Sequence, residues 1–278
     1  MSKSSVVSLP RLEPPEVLTG RVHSPGQRLN GSRNEVWLCP AYCGARDLML
    51  YVKPQLSTEQ TVAEILAAQI AIGLGLPCPQ PYLVSISPHC VGRPRGPALT
   101  AFGSEQVGPR GLAVPVRSRD ILLEMLSALK IAEAVAVLDE FIANDVRGPG
   151  DIVFDPANSV WLIDHEAALR SNVTPQAAVT NWLGDRLRER TDFHHRDALL
   201  SAFRAQAVKV RKLQIGPVPG FLEKLHGGKD SYLRALEFLH NRLSSLDFLL
   251  SQRALPEQQY LHEPNAANQN DSLRAADL

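Results

Sequence analysis

A lysine, Lys53, closes the apolar run LMLYVK, and Glu64 follows eleven residues on. Far downstream, NDVRGPGDIVF (Asn144 to Phe154) is followed by WLIDHEAAL (Trp161 to Leu169). These residue types can divide one chemistry between them. Lys53, at the end of a strand-like run, can direct an ammonium at phosphates. Glu64, in the first turns of a helix, can keep that ammonium charged and oriented. Asp164, placed after the apolar run VWLI and flanked by His165 and Glu166, offers hard oxygen to Mg²⁺. A cation for phosphates, oxygen ligands for magnesium and a group that orients the acceptor are what phosphoryl transfer requires of a protein.

Each residue also has a plainer reading. Lys53 can be a surface lysine at a strand end, Glu64 a solvent-facing helix glutamate, and Asp164 a turn residue. The pair Lys53 and Glu64 is more specific than either alone, because strand lysine followed by helix glutamate is a kinase arrangement. Asp151 stands where the kinase pattern places a magnesium-binding asparagine, and a carboxylate can do that work. Val146 stands one position before Arg147, where such loops carry a catalytic aspartate. A valine cannot accept a proton or orient a hydroxyl. Asp145 can take over if the loop is shifted by one residue; otherwise it is a solvated loop residue or a cap. Asp139, on the preceding helix, reads as structural. Arg147 is suited to a carboxylate or a phosphate.

The elements that position these residues follow from periodicity. NEVWLCP and DLMLYVKP read as strands around an AYCGAR hairpin turn. STEQTVAEILAAQIAIGLGL holds a helix, capped by Ser57 or Thr58 and ended by Gly73 or Gly75. PQPYLVSI and PALTAFGSE read as strands. SRDILLEMLSALKIAEAVAVLDEFIAND reads as a buried helix or helix pair. IVF, the turn DPANS and VWLI form a hairpin, and residues 172–252 are mostly helical. The stretch TGRVHSPGQRLNGSRNEV carries Gly20, Gly26 and Gly31 with Arg28 and Arg33. It can cover phosphates or be an ordinary hairpin loop. Strands segregated from helices give an α+β class.

Composition narrows the function classes. The chain has 278 residues, 44% apolar and 21% charged, with Lys plus Arg and Asp plus Glu at 29 each. That balance argues against broad nucleic-acid binding. No apolar run reaches membrane-span length, and the N-terminus does not read as a secretory signal. Cys39, Cys43, Cys78 and Cys90 read as reduced thiols of a cytoplasmic protein. His194 and His195 read as surface residues, with no ligand partner at metal spacing.

YVKP, AEILAAQIAIGLGLPCPQP, TAFGSE, VLDEFIANDVRGPGDIVF and WLIDHEAAL together resemble the HipA-like kinases. More narrowly they resemble the short stand-alone bacterial branch, distantly similar to phosphatidylinositol kinases. The resemblance covers about residues 20 to 170. It implies a bilobal protein-kinase-like fold, with a strand-rich N-lobe over 17–103 and a helical C-lobe over 104–255. Residues 1–16 are then a lead-in and 256–278 a flexible tail. ATP and Mg²⁺ would bind in the cleft. Lys53 would contact phosphates, with Glu64 bracing it. Ala101, Phe102, Gly103 and Ser104 would form the hinge beside adenine, and Asp151 and Asp164 would hold metal. Asp145 and Arg147 would serve catalysis. The family loop N-x-D-R-x-x-x-N reads here N-D-V-R-G-P-G-D, departing at Val146 and Asp151. The expected activity is transfer of the γ-phosphate of ATP to a hydroxyl, on Ser or Thr of a protein. The alternatives are a pseudokinase that binds nucleotide without turnover and a small-molecule phosphotransferase. Some of the family pair with a DNA-binding antitoxin, so an antitoxin-like partner is a further expectation.

Overall fold

A computed structural model of the chain describes residues 17–30, 34–108, 114–155, 159–213, 215 and 220–255. The lead-in at 1–16, the tail at 256–278, Gly31, Arg33 and the middle of the DPANS turn lie outside the described residues. The strands β1 (Leu18–Val22), β2 (Gln27–Leu29), β3 (Val36–Cys43), β4 (Arg46–Lys53), β5 (Pro81–Ile86) and β6 (Leu99–Glu105) make one sheet in the order β1-β5-β6-β4-β3-β2. Arg21 also pairs with Tyr42 and Val22 with Ala41, so the sheet rolls until β1 meets β3. The rolled interior is filled by Cys39, Leu50, Val52, Tyr82, Val84 and Ile86.

Two glycines are explained by this closure. A Cβ on Gly20 would stand 2.7 Å from Cys43 Sγ, and one on Gly26 would stand 2.4 Å from Cys39 Sγ. Their absent side chains let β1 and the turn after it lie directly on β3. The β3–β4 turn is tighter than the sequence suggests. Ala41 to Cys43 stay paired in β3, and only Gly44 and Ala45 turn. Cys39, Ala41 and Cys43 alternate inward, and this period of two carries the strand through the AYC segment.

The helices are α1 (Thr58–Gly73), α2 (Arg119–Ala128), α3 (Ala132–Phe141), α4 (Trp182–Arg190), α5 (Arg196–Lys212) and α6 (Gly228–Ala254). The long apolar run after Ser118 becomes a helix pair, α2 and α3, broken at Lys130 with φ +58°. Ser57 caps α1 through a reciprocal box with Gln60: its Oγ accepts from the Gln60 amide, and Gln60 Oε1 accepts from the Ser57 amide. This helix is buried from Thr61 to Ala71. Ile65 packs with Leu83 and Phe102 of the sheet, Ile70 and Ala71 join the helical core, and Val62 and Leu66 meet Tyr232 and Ala235 of α6. That explains why α1 has apolar residues all round rather than one stripe. A fully buried Leu or Ile there contributes roughly 1.5–3 kcal/mol.

A small sheet, β7 (Val114–Pro115), β8 (Ile152–Phe154) and β9 (Val160–Leu162), interrupts the helices. The β8–β9 hairpin forms where the sequence places it. Among the described residues no helix is long and apolar enough to cross a membrane.

Candidate active site

Lys53 is the last residue of β4, pinned between β3 and β6, with Phe102 as its partner on β6. Glu64 lies in the second turn of α1 and is buried. The two meet: Lys53 Nζ donates to Glu64 Oε1 at 2.5 Å. Glu64 Oε2 accepts from the His165 amide at 2.9 Å, so helix, strand and the loop after β9 are tied at one carboxylate. Lys53 also donates to Asp164 and, at 2.7 Å, to Glu166 Oε2. Glu166 in turn accepts from Asn34 Nδ2, just before β3. Residues separated by 111 positions, Lys53 and Asp164, are thus direct neighbours.

The β8–β9 hairpin brings Asp151 to the same place. Ile152 pairs with Leu162, and the Ile163 amide donates to the Asp151 carbonyl at 2.8 Å, which sets Asp151 beside Asp164. The Asp151 carboxylate accepts from the Gly148 amide at 2.6 Å and is within electrostatic reach of Arg147, Asp164 and Lys53. Asp164 has φ +63°, a left-handed conformation that costs a non-glycine residue of order 1 kcal/mol. Ala143 and Leu169 share it, at φ +52° and +55°, so three of the four such non-glycine residues among those described border these two loops.

Burial opposes a charge on Lys53, but Glu64, Asp164 and Glu166 outweigh it and hold the ammonium charged. Burial pushes the carboxyls of Glu64 and Glu166 up, with Lys53 pulling each back down. Oxygens of Glu64, Asp164 and Glu166 lie within 4.8 Å of one another. They gather around the Lys53 ammonium.

Arg147 is placed differently from a phosphate contact. Its Nε donates to both Asp139 oxygens at 2.7 Å, its Nη1 to the Ile163 carbonyl at 3.2 Å, and its Nη2 to His165 Nδ1 at 2.8 Å. Since arginine only donates, His165 Nδ1 is the acceptor and the ring proton sits on Nε2. Burial, with Arg147 alongside, holds His165 neutral. Asp139 is pushed up to about 6 by burial, while Arg147 draws it back down. Asp139 lies inside α3, buried against Arg147 and Asn144. Arg147 braces the loop after β9 from beneath.

Asp145 pairs with Arg170, downstream of Asp164. Its neighbour Val146 is 44% exposed, so no apolar packing requires a valine there. Ala101 to Ser104 lie inside β6: Phe102 to Ser104 pair with both β4 and β5, and Ala101 with β5. The chain leaves the sheet only after Glu105, so the connector to the helices begins later than the TAFGSE motif suggested. A strand flanked on both sides has no backbone edge left for a ligand. Cys78 Sγ lies 3.6 Å from His165 Nε2; Cys39, pushed up to about 11 by burial, is held as the neutral thiol, and Cys43, Cys78 and Cys90 are also raised by burial. His194 and His195 are exposed.

Sequence reasoning missed three partners. Glu166 was visible two residues after Asp164. Asn34 and Arg170 carry no motif and are found only by folding.

A family model described as HipA-like kinase matches residues 27–213. The chain is similar to the crystal structure of a Helicobacter pylori proinflammatory kinase, CtkA, at 12% identity and TM-score 0.50, covering 83% of this chain and 95% of that one. At that identity the likeness speaks for a kinase fold alone. It is also similar to a Neurospora crassa PAN3 pseudokinase at 12% identity and TM-score 0.35, covering 91% of this chain and 70% of that one. No curated protein matches the chain.

Proposed function

The chain belongs to the HipA-like kinase family, and we propose that it is an ATP- and Mg²⁺-dependent phosphotransferase acting on a hydroxyl, with Ser or Thr of a protein as acceptor. The observation that carries this reading is the convergence of Lys53, Glu64 and Asp164 from strand, helix and loop. Lys53 would hold the nucleotide phosphates, with Glu64 fixing its direction. Asp164 and Asp151 would hold Mg²⁺, which supplies charge neutralisation at the transferring phosphate. Adenine would lie where the chain leaves β6, at residues 106–108. Arg147 would act as a positioning residue, holding His165 and with it the loop that carries Asp164. Asp145 would orient or deprotonate the acceptor once Arg170 releases it.

A second reading, nucleotide binding without turnover, is favoured by one observation. Asp145 is engaged by Arg170, while by the family resemblance its neighbour Val146 would stand at the aspartate position. The discriminating experiment is transfer from γ-labelled ATP with Mg²⁺ to the protein itself and to lysate proteins, with Asp164→Ala and Asp145→Ala alongside. Transfer lost in both variants supports the displaced aspartate; loss only in Asp164→Ala removes Asp145 from the mechanism. No transfer, with ATP still raising the melting temperature, leaves the second reading.

A further inference from the structure

An ammonium has three N–H donors. In Lys53 all three are spent on carboxylates: Glu64, Asp164 and Glu166. No donor remains for a phosphate. The three acids are not equivalent. Glu64 is locked on α1, with its second oxygen held by the His165 amide. Asp164 has a side chain 37% exposed and is free to turn toward a cation. Glu166 is the supernumerary one. Its side chain is 13% exposed, one oxygen rests on Lys53, and the other accepts from Asn34. It bridges the approach to β3 with the loop after β9, directly over the ammonium.

We infer that Glu166 is an internal competitor for the nucleotide phosphate: its carboxylate occupies the anion position on Lys53 and sets both the affinity for nucleoside triphosphate and its dependence on a divalent cation. This rests on the reading of Lys53 as the phosphate contact. One anion must leave Lys53 before another arrives. With three carboxylates around one ammonium, a metal-free triphosphate meets a site already negative. With a divalent cation bound, Asp164 would turn from Lys53 to hold it and the negative field would be offset. Asn34 stabilises the competing state by holding Glu166 in place.

The test is titration of the full chain with ATP, in EDTA and in Mg²⁺, for wild type, Glu166→Gln, Glu166→Ala and Asn34→Ala. Expected in EDTA is a gain in ATP affinity of about tenfold or more for both Glu166 variants, the scale of one charge-assisted hydrogen bond. Asn34→Ala should gain in the same direction by less; lying outside the three-acid cluster, it serves if a Glu166 variant folds poorly. The benefit of Mg²⁺ should shrink in the Glu166 variants. If wild type binds Mg²⁺–ATP and no variant binds ATP more tightly in EDTA, the competitor is overturned and the nucleotide site stands. If no form binds ATP in either condition, the nucleotide site falls and the competitor with it.

Discussion

Two of the buried charge clusters among the described residues are built on opposite plans. Around Glu140 of α3, two guanidiniums meet two carboxylates. Arg242 donates to Glu140 Oε1 at 3.1 Å, to the Glu140 carbonyl at 2.6 Å, and to the carbonyls of Pro175 and Ala177 at 3.0 and 2.9 Å. Arg253 reaches Glu140 and Asp185, each at 2.8 Å. Arg242 and Glu140 are both fully buried. Around Lys53, three carboxylates meet one ammonium, and one of them, on Asp164, is partly open to solvent. The first cluster balances its charges and ties α3, α6 and the 175–177 segment into one core. The second leaves negative charge in excess beside solvent. Excess charge of one sign in a partly buried place is poor stability engineering, and suits a site that completes itself with a cation and a phosphate.

The difference makes the clusters respond oppositely to neutralisation. The largest effect should come from Arg242→Met, which leaves Glu140 buried with one cation fewer. A cost of about 3–5 kcal/mol is expected, read by urea denaturation. A loss below about 1 kcal/mol would erase the contrast, because exposed pairs cost that little.

His165 sharpens the comparison from the border of the Lys53 cluster, since its amide reaches Glu64 and its ring reaches Arg147. Its folded pKa is held well below the ordinary histidine value. Below about pH 6.5 the unfolded chain takes a proton that the folded chain refuses, so stability is lost on acidification, by up to about 1.4 kcal/mol per pH unit. Asp139 runs the other way: raised to about 6, it takes its proton first in the folded state and adds stability as pH falls from there. His165→Gln should therefore lose less stability than wild type between about pH 6.5 and 5, in paired denaturation curves. Equal losses would contradict a neutral His165.

The smallest effect should be that of Ser57→Ala. Losing the cap of α1 should cost about 1 kcal/mol and weaken Mg²⁺–ATP binding modestly, because α1 carries Glu64. A melting temperature unchanged from wild type would deny the capping box its role.

The contrast between clusters also marks what was legible in the sequence. Lys53, Glu64, Asp151 and Asp164 stand out because each lies at the end of an apolar run or inside one. The strands and helices bearing them show in the same periodicity. The roll of β1 onto β3 does not, because Gly20 and Gly26 report a close approach without naming its partner. Ala101 to Ser104 show how a motif misleads: the strand pattern was correct, but where it ends depends on pairing with β4. The Glu140 cluster was illegible for a different reason. Arg242 and Arg253 sit in an amphipathic helix where arginines read as surface residues, and only packing shows them buried. Glu166 was in plain view, but its hold on Lys53 depends on the β8–β9 register.

The most direct measurement is the melting temperature of wild type and Asp164→Asn, each with and without Mg²⁺ and ATP. If the Lys53 cluster is a site awaiting ligand, Asp164→Asn without ligand melts at or above wild type, because one of three crowded carboxylates has lost its charge. Mg²⁺ with ATP then raises wild type, by mass action on the folded state, and leaves the variant unmoved. An Asp164→Asn protein that melts well below wild type, with both proteins responding alike to Mg²⁺ and ATP, would contradict that claim and make the Lys53 cluster structural, like its counterpart at Glu140.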